Sequence, residues 1–226
     1  MMIALPLIKP VFITLLWLGP WNVGSITTGN GSIFPGAKPG VAVAAMAPGQ
    51  TPEHPALEQG VLLIAGKNLL DPFFERAVVL ITEYGASGTT GLVLNRRVKL
   101  SPGHDLPQLG DVTRHLDAVY LGGPVATNNL RLLVQSDIGP QGARMVVDNI
   151  FMIDTMETLR QLDPENIHNE NVRMYMGFAG WAPGQLEIEL LRGDWYIWPA
   201  SSTIIFSKIP ENIWYELISL VTATWT

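Results

Sequence analysis

The stretch with the densest chemistry is Met176-Gly-Phe-Ala-Gly-Trp-Ala-Pro-Gly-Gln-Leu-Glu-Ile-Glu189. Gly177 and Gly180 bracket a Phe-Ala pair, Trp181 follows, and Gln185, Glu187 and Glu189 come after Pro183-Gly184. Glycine permits positive φ and close backbone approach. Proline suits the first turn of a helix, where its missing N–H is no loss. The pattern therefore predicts a strand ending in a tight corner at Gly180-Trp181, then a short helix opening near Pro183. Such a corner would aim backbone N–H groups at one point. Glu187 and Glu189 are the local groups that could act as catalytic acid or base. On a helix, residues two apart point about 200° from one another, so the pair cannot serve one site together. Solvated helix carboxylates are the simpler reading. Trp181 reads as a stacking surface for a ligand or as a core plug beside thin glycine backbone.

Other polar groups fall where strands are expected to end. Asn95-Arg96 could bind an anion, the guanidinium acting through its fixed fork of donors; the simpler reading is a hairpin-end ion pair to Asp71 or Glu75. Gly122-Gly123 before Pro124 could form a backbone anion nest or only a tight turn. Together with Gly180, Trp181 and Gln185, these residues make up the candidate ligand-binding set. Gly85-Ala-Ser-Gly-Thr-Thr-Gly91 lacks the Lys-Ser/Thr ending of a phosphate loop. Ser87 does not sit in a Gly-x-Ser-x-Gly elbow. The histidines, His54, His104, His115 and His168, are scattered, so no helix-spaced zinc site is expected. No motif calls for a metal or a cofactor.

The elements that must position these groups alternate irregularly. Gly60–Ala65, Ala77–Thr82 and Gly91–Asn95 read as buried strands, the last two forming a hairpin. Asp71-Pro72 reads as a turn or a helix cap. A helix is expected over 105–117 and strands over 118–121 and 130–134. A hairpin is expected around Asp148-Asn149. Asp154 and Glu157 fit a capping box for a helix reaching about Leu162. Val172–Met176 is the strand that feeds the opening stretch. Gly193 should stop the helix after Pro183, 195–198 and 204–206 read as strands, and Pro210 to about Val221 as the closing helix. Strands outnumber helices without strict β-α-β alternation. The expected class is α+β, with a mixed, mainly antiparallel sheet flanked by helices.

Composition narrows the function. The net charge is −6, and the first 45 residues hold Lys9 and Lys38 but no acid, so the remainder carries twelve basic against twenty acidic residues. Such a domain is a poor binder of nucleic-acid phosphates. Cysteine is absent, which excludes disulfides, thiolate nucleophiles and Cys-based metal sites. Residues 1–23 are almost wholly apolar, with Lys9 the only charge. They read as an export or anchoring segment, as the product of an over-long start assignment with the true start at Met46, or as a hydrophobic extension packed on the domain. Membrane contact is expected only through them. Residues 24–59 read as a Gly/Pro/Ala-rich linker and 60–226 as the domain.

Five ordered blocks, Gly60–Ala65, Asp71–Arg76, Gly91–Arg96, Tyr120–Val125 and Gly177–Glu189 with Gly193-Asp-Trp195, resemble the bacterial YqgE/AlgH family over about residues 60–220. That resemblance implies a single-domain α+β fold, a usually cytoplasmic protein, and a description as a transcriptional regulator with no agreed biochemical activity. Departures are Arg97 where the family usually has proline, Phe178 where it often has tyrosine, and residues 1–59, which have no counterpart. The leading reading is a non-enzymatic regulator acting indirectly, through a protein or small-molecule partner. The alternatives are a small-molecule-binding or hydrolytic site around Asn95-Arg96 and Gly180-Trp181, and a purely structural domain.

Overall fold

The computed structural model describes residues 55–99, 116–163 and 166–224. The chain divides into units Met1–Met46 and Ala47–Thr226, and every described residue lies in the second. Residues 1–54, most of the helix expected over 105–117, and His54, His104 and His115 fall outside the described residues.

The strands are β1 (Val61–Ala65), β2 (Val78–Gly85), β3 (Gly88–Val93), β4 (Arg97–Lys99), β5 (Ala118–Leu121), β6 (Val125–Gln135), β7 (Arg144–Val147), β8 (Ile150–Ile153), β9 (Val172–Trp181) and β10 (Trp195–Pro199). The helices are α1 (Met156–Leu159), α2 (Gln185–Leu191) and α3 (Pro210–Thr224). One path runs β10-β1-β2-β3-β9-β6-β8-β7, with β5 added on β9 and β4 on β5. Each pairing is antiparallel except β5 with β9. The α+β class and the mainly antiparallel sheet expected from the sequence are what the structure has.

β9 is the hub. Its first half, Met174–Met176, pairs with β5 on one edge, and its last residues, Ala179–Trp181, pair with β3 on the same edge. β6 runs along the other edge. Gly177 in its middle has φ +69 and meets the Gly122-Gly123 turn almost backbone to backbone. A Cβ on Gly123 would fall 1.9 Å from the Phe178 carbonyl carbon, and one on Gly122 would fall 2.4 Å from the Gly177 oxygen. The glycines let β5 leave the sheet and β6 enter it across β9.

The path curls back on itself. Gln59 Nε2 donates to the Met145 and Val146 carbonyls at 3.1 Å, which ties β7 to the start of β1. From β7, Arg144 Nη1 donates to the Thr82 carbonyl at 2.6 Å, and Nη2 lies 3.1 Å from Glu83 Oε1. β1 and the first half of β2 are buried throughout, as their unbroken apolar runs require of strands covered on both faces. α3 packs on them with Ile213, Trp214, Leu217, Ile218 and Val221, and Trp214 Nε1 donates to the Ala65 carbonyl at 2.8 Å. A second, smaller core gathers Leu132, Val134, Ile153, Leu159, Val172 and Met174.

Several local expectations change. The strand expected over Val172–Met176 runs on to Trp181, within the expected corner, because Thr89–Gly91 offers a partner edge. α2 begins at Gln185, not Pro183, behind Gly184 at φ +77. Gly193 does stop it: its N–H donates to Leu190 O and that of Asp194 to Glu189 O, the Schellman pattern that favours a left-handed glycine. Thr155, not Asp154, caps α1, its hydroxyl accepting from the Thr158 N–H, and the helix is one turn rather than two. Ile204–Phe206 form a π-helical turn, Thr203–Ser207, instead of a strand. A three-residue apolar run carries no period, and here burial of all three side chains is met by a turn under α3. Among the described residues no helix is long and apolar enough to cross a membrane.

Candidate functional site

Of the residues singled out by sequence, Trp181, Gln185 and Glu189 meet at the C-terminal end of β9. Trp181 is buried and stacks on Phe74, ring centroids 6.0 Å apart, with Trp195 edge-on at the same distance. Glu189 reaches back from α2 and accepts from both indoles, Trp181 Nε1 and Trp195 Nε1, each at 2.9 Å on Oε2. Its other oxygen accepts from Gln185 Nε2 at 2.9 Å, and Gln185 Oε1 accepts from the Ala182 N–H at 3.0 Å. Trp181, Gln185 and Glu189 are thus brought together. Glu187 is not with them. It accepts from the Tyr84 hydroxyl at 2.9 Å on the exposed side, and that hydrogen bond pushes the phenol pKa up. Gly180 is exposed and pairs with Thr90.

Asn95 and Arg96 brace the turn that carries Phe74. Asn95 is buried; its Oδ1 accepts from the Val78 N–H at 3.0 Å and its Nδ2 donates to the Arg76 carbonyl at 2.8 Å. Arg96 Nη2 donates to the carbonyls of Phe73 and Glu75 rather than pairing with a carboxylate, and burial pushes its pKa down. Asp71 Oδ1 accepts from the N–H groups of Phe73 and Phe74. The turn between β1 and β2 is therefore fixed from both sides. The Gly122 N–H donates to the Met176 carbonyl at 2.8 Å. Phe178 lies under the Arg131 guanidinium, 4.0 Å from the ring centroid.

A different set of residues forms a cleft of about 220 Å³ near the N-terminal end of β9. Arg97, Asp117, Tyr120, Arg173 and Lys208 line it, with Ile209-Pro210 at the start of α3. Arg173 is only 6% exposed. Its Nη1 donates to the Tyr120 hydroxyl and its Nη2 to the Phe206 carbonyl at 2.9 Å, both neutral acceptors, while Nε is buried without a partner. Arg97 Nη2 donates to Asp117 Oδ2 at 2.6 Å, which pushes the guanidinium pKa up, and its Nε too is buried and unpartnered. Lys208 pairs with Glu216 in the second turn of α3. Burial pushes the Tyr120 hydroxyl up, against the pull of Arg173 and Arg97. A buried guanidinium with only neutral partners is the costly element here, since buried charges are ordinarily paired.

No spacing rule joins residues 97, 117, 120, 173 and 208, and the sequence reading missed this cleft. One signal was available: Arg173 interrupts the apolar strand Val172–Met176, and a lone charge there needs a partner.

Fold and site together define a small α+β domain: a curled sheet with a saturated aromatic corner at one end of its central strand and a cleft lined by Arg97, Arg173 and Lys208 at the other. The chain belongs to the AlgH-like family, whose model matches residues 62–225. A UPF0301 protein of Mycolicibacterium smegmatis is 34% identical over 165 residues, covering 70% of this chain and 75% of that one. One from Streptomyces coelicolor is 35% identical over 165 residues, covering 70% and 84%. Among solved structures, the AlgH protein from Pseudomonas aeruginosa superposes with a TM-score of 0.57 at 29% identity, covering 78% of this chain and 91% of that chain. The family resemblance read from the five blocks is thereby established.

Proposed function

We propose that this chain is a binding protein, not a catalyst, and that it acts on transcription indirectly through a small-molecule partner held in the cleft of Arg97, Tyr120, Arg173 and Lys208. The observation that carries this reading is Arg173: a buried cation whose partners are both neutral, facing a cleft that already holds two further cations. The candidate acids point the same way. Glu189 has its oxygens occupied by three donors, and Glu187 sits on the exposed side with Tyr84. Neither is poised against a second reactive group. The acidic balance of the domain argues against direct reading of DNA. Such a regulator would act in the cytoplasm, a location the family resemblance supports.

A thermal-shift screen of the full chain against a metabolite library tests the proposal. A compound that raises the melting temperature of the wild type, and not of Lys208→Gln, is the expected result. Salt-sensitive, sequence-selective DNA binding by the purified chain would sink the indirect version, and turnover of a hit compound would sink the non-catalytic one.

A further inference from the structure

We infer that the cleft beside Arg173 is a phosphoryl site, taking inorganic phosphate or the phosphate end of a small monoester. The inference rests on the binding reading above and narrows it to one ligand chemistry.

Charge comes first. Arg173 is 6% exposed and has no carboxylate among its hydrogen-bond partners. Its Nε donor is unused, as is that of Arg97. Removing a guanidinium from water without a counter-charge is unfavourable, so an anion entering the cleft supplies what the fold leaves out. Two more cations are within the same wall. Arg97 and Lys208 are held by Asp117 and Glu216, whose side chains are 58% and 43% exposed. Ion pairs this open to solvent are weak, so both cations can turn to a ligand at little cost. Asp117, Glu216 and the Glu211 charge felt at Arg97 oppose this attraction, and the gain from a given positive potential grows with the charge of the anion. A phosphate monoester carries −1.5 to −2 at neutral pH.

Shape agrees with charge. At about 220 Å³ the cleft is smaller than the roughly 300–1,000 Å³ of pockets that take a whole drug-sized ligand. It fits a headgroup with the remainder of the ligand outside. Arginine's planar fork matches phosphate oxygens two at a time. The Tyr120 hydroxyl lies at the same place, and α3, fifteen residues long, begins at the cleft with Pro210, which puts the positive end of a helix there.

Isothermal titration calorimetry on the full chain at constant ionic strength tests the assignment, with inorganic phosphate, glycerol phosphate and succinate as probes. Phosphoryl probes should bind and succinate should not. Binding of inorganic phosphate alone assigns free phosphate, and binding of both assigns a monoester. Lys208→Gln, a partly exposed position, should weaken binding about tenfold, the loss expected for one charge-assisted contact. Arg173→Lys keeps the charge, loses the fork and should weaken it at least as much. Silence of both phosphoryl probes, equal binding of succinate, or binding unchanged in Lys208→Gln overturns the phosphoryl assignment. If a library compound still depends on Lys208 while both phosphoryl probes are silent, the ligand class fails and the binding reading stands. If nothing in the library binds either, both fail.

Discussion

The two ends of β9 handle buried polar groups in opposite ways. At the C-terminal end, each donor of the Trp181, Trp195 and Gln185 cluster meets a Glu189 oxygen, and that carboxylate accepts three hydrogen bonds from within the chain. Toward the N-terminal end, Arg173 donates twice to neutral oxygens and keeps a buried donor unused. Eight residues of extended strand separate them, at most about 26 Å. One cluster is complete as folded; the other is short of an anion. A crowded sequence motif therefore marks a structural lock, and an unremarkable arginine in an apolar strand marks the chemistry. Completeness, more than density of polar residues, separates the two.

The glycine crossing between them offers the most severe test. Gly123→Ala puts a methyl 1.9 Å from backbone that no rotamer change can move. It should cost at least about 4 kcal/mol and prevent accumulation of folded protein, as overpacking against fixed backbone does. Soluble yield and urea unfolding check it. A stable variant would mean that β5 and β6 can separate from β9, and the two ends would no longer be held by one crossing.

Next in size is the lock itself. Glu189→Ala strands two indole N–H groups, and the loss should be about 3 kcal/mol, since hydrogen bonds to a charged group contribute roughly 1.5–3 kcal/mol and unmet buried donors add to the penalty. For a domain of this size that lowers the melting temperature by roughly 6–12 °C. Calorimetric scanning measures it, and phosphate titration of the same variant should be unchanged at temperatures where it is folded. Loss of phosphate binding without loss of stability would reverse the assignment of the two ends.

How much of this was legible beforehand depended on whether a signal was local. The apolar runs of β1 and β2 set their burial, and Asp148-Asn149 marked the β7–β8 hairpin, with Asp148 at φ +47. The five blocks named the family. Asn95 and Arg96 were correctly seen at a strand end, but their partners are main-chain groups of Phe73, Glu75, Arg76 and Val78, which no charge pattern announces. β9 outruns the strand expected over Val172–Met176 and ends at Trp181, because its continuation depends on a partner edge some ninety residues earlier. The cleft was invisible for the same reason in stronger form: Arg97, Tyr120, Arg173 and Lys208 meet only after β4, β5, β9 and the start of α3 have been placed.

The smallest effect belongs to Glu187, and it separates that carboxylate from its neighbour two residues on. Glu187 accepts from Tyr84, which lies on an exposed stretch of β2, so the pair is open to water on one side. Exposed polar pairs of this kind contribute little to stability, and Glu187→Gln should leave the melting temperature where it is. Its consequence should appear in the titration of Tyr84 instead. The hydrogen bond to Glu187 holds the phenol pKa above its ordinary value, with the carboxylate charge acting in the same direction. Removing that charge makes the tyrosinate easier to form, so the Tyr84 midpoint should fall. The difference in tyrosinate absorbance between wild type and variant across pH 9–11, the range about the ordinary tyrosine value, reads this directly, with Tyr84→Phe identifying the residue. A drop in melting temperature comparable to that of Glu189→Ala would show that Glu187 belongs to the lock after all. An unmoved Tyr84 midpoint would show that the pair is not formed in solution.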